Sequence, residues 1–185
     1  TIVKLAVEKI LKKNVLVVGA GIKTGLNIRI DNPAQLGSDL VVDSVAAIVE
    51  YPAPLLIFDL GTANTVCVID KNKNYIGGMI YPGIGVSLDS LTAHASQLGG
   101  ISIEAPEHMI GKNTTECMKS GLIYSSAAAM DGIIDRLQEQ LGGEATVIAT
   151  GGLAKKIVPH CRREIILDDD LLLKGLAIIY KKNRK

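Results

Sequence analysis

The stretch from residue 55 to 83, LLIFDLGTANTVCVIDKNKNYIGGMIYPG, narrows the choice of fold more than any other part of the chain. It opens with Leu55, Leu56, Ile57 and Phe58, a short uninterrupted apolar run of the kind that forms a strand buried on both faces. Asp59 closes the run. Gly61 and the small residues Thr62, Ala63 and Asn64 then let the chain turn sharply, which brings backbone N–H groups and hydroxyls close to an anion. A second strand is expected over 65–69, a turn over 70–74 and a returning strand over 75–80. Such a hairpin holds Asp59 and Thr62 at the rim of a sheet, where an acid can hold a cation and a neighbouring hydroxyl can touch the phosphate which that cation neutralises. An ordinary β-turn satisfies the same short pattern, so the motif alone leaves both readings open.

The remaining chain supplies helices on the period expected for packing against a sheet. Val3, Ala6, Val7 and Ile10 recur at helical spacing over 2–11. Residues 15–18 are β-branched and apolar enough to predict a short strand, and Gly19-Ala20-Gly21 behind them lacks the full spacing of a dinucleotide loop. After the turn-like NIRIDNP of 27–33, a helix is expected from about residue 34 through 49, with Asp39 in its first turns. An acid there serves the helix dipole in many proteins. Leu88, Leu91, Ala95 and Leu98 predict a helix over 86–98, and the pattern over 115–141 predicts one or two long helices stopped by Gly142 and Gly143. Asn113 and Glu116 stand three apart at its start, much like a capping box. Ala145 to Ala149 reads as a strand, and Gly151-Gly152 after it permits close backbone approach to a ligand or a tight strand-to-helix turn. Asp168, Asp169 and Asp170 precede an apolar helix that ends in Lys181 and Lys182, the arrangement favoured by the helix dipole.

Bulk properties remove several function classes. A chain of 185 residues fits one domain with a sizeable core. No apolar run approaches the roughly 20 residues of a membrane span, and no signal peptide is visible, so no membrane partner is expected. The formal net charge is +1, and aromatic residues make up 3% with no Trp, so neither charge nor stacking points to nucleic acid. Cys67, Cys117 and Cys161 lie far apart with no ligand spacing, as expected of reduced thiols in a cytoplasmic protein. His94, His108 and His160 have no partners at ligand spacing. Thr1 leads straight into a helical pattern, so an N-terminal piece is expected to precede it.

Several separated stretches, VVGAGIKTGLNIRIDNPAQLGSD, FDLGTANT, GGMIYPG, IGKNTTECMKSG, ATGG and LDDDLLLKGLAIIY, resemble in order and spacing the type III pantothenate kinase family. The resemblance runs from about Val15 to the C-terminus. It implies an α/β (α+β) ribonuclease H-like, actin-like ATPase fold with a mixed sheet flanked by helices, as in acetate and sugar kinases, actin and the heat-shock chaperone ATPases. On that basis residues 1–54 would be the remnant of an N-terminal ATPase-like domain and residues 55–185 a C-terminal ribonuclease H-like domain. The implied activity is ATP-dependent phosphorylation of pantothenate to 4'-phosphopantothenate, the first step of coenzyme A biosynthesis. The implied setting is a cytoplasmic homodimer that uses a divalent cation (Mg) and a monovalent cation (K or ammonium).

Carried over by residue, the resemblance makes Asp39 the proton acceptor for the substrate hydroxyl. Gly37, Ser38, Asp39, Leu40 and Thr114 fall at the substrate, Gly61, Thr62, Gly151 and Gly152 at ATP, and Asp59 at the monovalent cation. The long helix is implied to contribute to the dimer, with a substrate pocket partly shared between subunits. The chain departs from the family pattern at four points. Leu40 replaces an arginine able to hold the pantothenate carboxylate, and an apolar side chain cannot substitute for it. Ile30 stands where the family has Tyr, and Asn64 where it has Thr. The first phosphate loop, DxGNT, lies outside this chain, which removes one of two phosphate clamps. These departures keep a second expectation in play: a non-catalytic or substrate-altered relative that retains the fold as a nucleotide-binding or regulatory module.

Overall fold

The apolar run that ends at Asp59 becomes the centre of a six-stranded sheet in the computed structural model, which describes residues 2–184. The strands are β1 (Asn27–Ile28), β2 (Leu55–Leu60), β3 (Ala63–Ile69), β4 (Asn74–Pro82), β5 (Thr146–Thr150) and β6 (Ile166–Leu167), in spatial order β1-β4-β3-β2-β5-β6. β2, β3 and β4 form an antiparallel meander, whereas β5 lies parallel to β2 and β6 parallel to β5. Parallel neighbours need crossovers. Those crossovers are α3 (Ile84–His94) with α4 (Thr114–Leu141), and then α5 (Ala154–Ile157). The other helices are α1 (Ile2–Leu11), α2 (Ser38–Glu50) and α6 (Leu171–Asn183).

Side-chain alternation along β2 sorts the core into two layers. Leu56, Phe58 and Leu60 face α4, where they meet Ile123, Ala127, Met130 and Ile134. Leu55 and Ile57 face the opposite layer, against Ala46, Ala47 and Ile48 of α2 and Leu171 of α6. Each such side chain contributes about 1.5–3 kcal/mol on leaving water. By the same alternation Asp59 points to the α2 and α6 side.

α2 is enclosed on all sides: residues 41–48 are buried without a break. The sheet covers one flank, and Val18, Ile22, Leu26 and Ile179 cover the other. Gly175 of α6 makes this fit possible, because any side chain there would run into the carbonyl oxygen of Val42. β1 and α2 both precede residue 54 in the chain and join the sheet and layer built by the later residues.

Three expectations are corrected. Residues 15–18 form no strand. The edge of β4 is already taken by β1, and the Val15 N–H donates to the Glu8 carboxylate at 3.0 Å instead of a ladder partner. The helix expected from residue 34 is broken in two, because Pro33–Gln35 is a single 3-10 turn capped by Asn32 and α2 starts only after Gly37. The helix expected over 86–98 runs from Ile84 to His94, starting directly behind Gly83.

Candidate functional site

Asp39 and Asp59 come to the wall of one cavity of about 470 Å³, together with Asp43, Thr150, Gly151 and Gly152. Asp39 reaches it from the first turn of α2. Gly37, the N-cap of that helix, leaves room for it, since a side chain on Gly37 would collide with the Asp39 carboxylate. Asp59 arrives at the end of β2, paired across the sheet with Thr65 on one side and Thr150 on the other. Gly151 follows β5 at φ +93, a left-handed conformation natural to glycine. A side chain there would strike the Asp59 carboxylate and the Leu60 backbone. The Leu153 N–H donates to the Leu60 carbonyl at 3.1 Å and pins this turn beside β2.

The charge around the cavity is unevenly balanced. Asp169, also on its wall, pairs with Lys155 at 2.5 Å. The neighbouring Asp168 accepts from Lys174 Nζ at 2.7 Å and from the Tyr51 hydroxyl at 2.8 Å. Burial would raise its carboxyl, yet the bonds from Lys174 and Tyr51 outweigh that and hold it below the usual carboxylate range. Among the described residues Asp39, Asp43 and Asp59 have no ion-pair partner. No lysine, arginine or histidine lines the cavity. Asp43 is 2% exposed and its Oδ1 has no hydrogen-bond partner. Burial first, then the charges of Asp59, Asp39 and Asp168, push its carboxyl up to about 7. Burial and then Asp39 also raise the Asp59 carboxyl.

Such a donor set suits a hard cation, for which carboxylate oxygens are the natural ligands. Among the described residues no three acidic, histidine or cysteine side chains are arranged to hold an ion by themselves. Water or phosphate oxygens would have to complete the shell.

A second cavity of about 530 Å³ adjoins the first along β4, lined among others by Ile30, Asp31, Gly37, Leu40 and Tyr75. Asp39 belongs to both walls. Six of the expected site residues, Gly37, Asp39, Leu40, Asp59, Gly151 and Gly152, thus gather around two adjoining spaces. Ser38 begins α2 but lines neither.

Gly61 and Thr62 occupy the turn between β2 and β3 at the sheet rim, where Thr62 is exposed and its carbonyl accepts from the Gly83 N–H at 3.0 Å. They line neither cavity. Thr114 also lines neither. It opens α4 behind a working cap, with the Asn113 side chain accepting from the Glu116 N–H and the Glu116 carboxylate accepting from the Lys112 N–H, both at 2.9 Å. Sequence reasoning missed Asp43, Thr150 and Asp169. For Asp43 a signal was present: an acid one helical turn after Asp39, inside the otherwise apolar VVDSVAAIV, is costly to bury unless something meets its charge.

A family model described as "Type III pantothenate kinase" matches residues 1–136. A type III pantothenate kinase of Bacillus cytotoxicus is 46% identical over 176 residues, covering 95% of this chain and 67% of that protein. One of Exiguobacterium sibiricum is 48% identical over 168 residues, covering 91% of this chain and 66% of that protein. The chain thus spans about two thirds of the length of the curated relatives it matches.

Among solved structures, a Baf family transcriptional activator from Campylobacter jejuni aligns with TM-score 0.55 at 22% identity, covering 84% of this chain and 68% of the other. The ethanolamine utilization protein EutJ from Carboxydothermus hydrogenoformans aligns with TM-score 0.51 at 15% identity, covering 95% and 70%. These likenesses concern the fold, a mixed sheet flanked by helices of the ribonuclease H-like, actin-like ATPase type. On the family match and the identity to curated relatives, the chain belongs to the type III pantothenate kinase family.

Proposed function

We propose that this chain is part of a kinase that transfers the γ-phosphoryl group of ATP to the primary alcohol of pantothenate, yielding 4'-phosphopantothenate and ADP in the first step of coenzyme A biosynthesis. The observation that carries the reading is the position of Asp39 on the wall common to both cavities. A nucleotide's terminal phosphate entering past Gly151 and Gly152 would meet, at Asp39, an alcohol lying along β4. The alcohol oxygen forms the new bond to phosphorus, the bond to the bridging oxygen breaks, and the proton passes to the Asp39 carboxylate. Gly151 and Gly152 keep side chains out of the path of the phosphates. Asp59 would hold a cation, for which the resemblance implies a monovalent ion (K or ammonium) in addition to Mg. A divalent ion, when bound, supplies charge neutralisation on the phosphates.

In this reading residues 1–54 stem from the N-terminal ATPase-like domain, and residues 55–185 form the C-terminal ribonuclease H-like domain, with β1 and α2 docked on its sheet. Thr114 lines neither cavity, so its substrate role requires α4 of one copy to reach the cavity of another, as in a homodimer. The location proposed is cytoplasmic. No helix among the described residues is long and apolar enough to cross a membrane.

A coupled ADP-release assay on the full-length protein with pantothenate tests the proposal. Turnover that requires both substrates and vanishes in Asp39→Asn is expected, and pantothenate-independent ADP release alone would overturn it. One observation favours a second reading, a kinase for an alcohol without a carboxylate. The cavity along β4 carries Leu40 and Asp31 and no lysine, arginine or histidine on its wall. Faster turnover of an uncharged amide of pantothenate than of pantothenate itself would select that reading.

A further inference from the structure

β1 holds the edge of β4 only at its start, at Asn74 and Tyr75, where the Arg29 N–H donates to the Tyr75 carbonyl at 2.8 Å. Past Arg29 the chain leaves β4 and turns through Pro33–Gln35 into α2. The gap so opened is the cavity of about 530 Å³, with Ile30, Leu36 and Gly37 on one wall and Gly78, Met79 and Ile80 on the other. Which backbone groups of β4 face this gap follows from its ladder with β3. The Gly83 N–H donates to the Thr62 carbonyl at 3.0 Å, and bonded pairs alternate along an antiparallel ladder, so Tyr81 opposite Asn64 and Met79 opposite Val66 bond to β3. Ile80, opposite Thr65, and Gly78, opposite Cys67, therefore direct their N–H and C=O groups away from β3. Pro82, opposite Ala63, falls in the same outward set and has no N–H to lose. Among the described residues no backbone group meets the outward groups of Gly78 and Ile80.

We propose that this free edge holds the substrate as it would a strand, the Ile80 N–H donating to the substrate's acyl carbonyl and the Ile80 carbonyl accepting from the hydroxyl on the adjacent carbon. The proposal rests on the kinase reading above and adds to it the class of alcohol selected, an α-hydroxy acyl compound. In an extended chain the N–H and C=O of one residue point to the same side, and both bond one residue of a neighbouring antiparallel strand. Pantothenate carries its secondary hydroxyl where such a residue carries N–H, so hydroxyl and carbonyl together match Ile80. Main-chain bonds of this kind are how sheet edges capture extended peptides. Neutral backbone groups need no opposite charge, in keeping with a wall that has no lysine, arginine or histidine. The opening is too short for a strand, because β1 closes it at Tyr75 and Pro82 ends its supply of donors. Ile80 stands in one cross-strand row with Thr65 and Asp59, at the end of the cavity toward the acids. A chain bonded there carries its primary alcohol to Asp39, on the same wall.

The test is steady-state kinetics of the full-length protein with pantothenate and with its analogue lacking the secondary hydroxyl, in the parent, Ile80→Pro and Ile80→Ala. Proline removes the outward N–H without costing a bond to β3, whereas alanine trims the same exposed side chain and keeps the N–H. The expected result is a KM for pantothenate raised about threefold to tenfold in Ile80→Pro, the usual effect of one lost hydrogen bond, with kcat changed less. The analogue should show a similar rise in the parent. In infrared difference spectra the isotope-labelled carbonyl of bound pantothenate should absorb at lower frequency in the parent than in Ile80→Pro, a shift that a merely structural role would not produce. An equal rise of KM in Ile80→Ala and Ile80→Pro, an unaltered KM for the analogue, or an unshifted carbonyl would each overturn the proposal. So would loss of an oligomer in Ile80→Pro with KM unchanged, which would give the edge to a second copy. Should Ile80→Pro fail to fold, the analogue's KM in the parent decides alone. Pantothenate binding with the carbonyl shift but no ADP release would uphold the edge site and count against the kinase reading, and turnover without the shift would do the reverse.

Discussion

Two aspartates one helical turn apart, Asp39 and Asp43, show how far the surroundings of a side chain outweigh its type. Asp39 lies in the first turn of α2 and lines two cavities, so removing its charge should strike the chemical step. Asp39→Asn is expected to lower kcat of the full-length protein by about 10²–10⁴-fold, the usual contribution of a positioned proton acceptor, with nucleotide affinity changed little. Steady-state kinetics beside equilibrium nucleotide binding would check this, and equal loss of both would argue for a structural role. Asp43 should behave in the opposite way toward stability. Its folded carboxyl titrates near 7 against 3.8 ordinarily, so the folded chain binds this proton more tightly than the unfolded one. In the cation-free chain Asp43→Asn should therefore stabilise by roughly 3–4 kcal/mol at pH 8 and by almost nothing below pH 4. Urea denaturation in a chelator at the two pH values gives the comparison.

At the scale of elements, α2 and α6 depend on one close approach. Gly175 lies so near the Val42 carbonyl that Gly175→Ala must push the helices apart, at an expected cost of about 1–3 kcal/mol, read as a lower urea midpoint with an unchanged slope. Most elements were legible locally. The apolar run of β2, the asparagine cap and glycine stop of α4, and the acids ahead of α6 each follow from chemistry within a few residues. Residues 15–18 were misread because a β-branched run needs a free sheet edge to become a strand, and β1 already holds that edge. Gly37 is likewise a helix N-cap only because Pro33–Gln35 closes its own turn first.

Over the whole molecule, two buried carboxyls set opposite limits on pH. Asp168 is held below the usual range by Lys174 and Tyr51 against the effect of burial, so its contribution is present above the ordinary carboxylate pKa and lost as pH falls through the depressed one. Asp43 weakens the fold as pH rises from about 4 toward 7. Thermal melts in a chelator should show a stability maximum on the acid side of neutrality. Asp43→Asn should flatten the decline above it, and Asp168→Ala, which leaves the Tyr51 hydroxyl without its acceptor while Lys174 keeps Glu50, should cost about 1–3 kcal/mol near neutral pH. Asp59 was readable as a candidate from its place at a strand end before a glycine turn, whereas Asp39, Gly151 and Gly152 owed their roles to the family resemblance, because an acid in a first helical turn and glycines after a strand have ordinary structural uses too. The chain by itself therefore determined the strands and most helices, since periodicity, caps and glycines act between near neighbours. Only the tertiary structure decided that carboxylates from α2 and β2 share one cavity and that Asp43 is enclosed there without a partner, because the loss of water around a charge depends on every element packed against it.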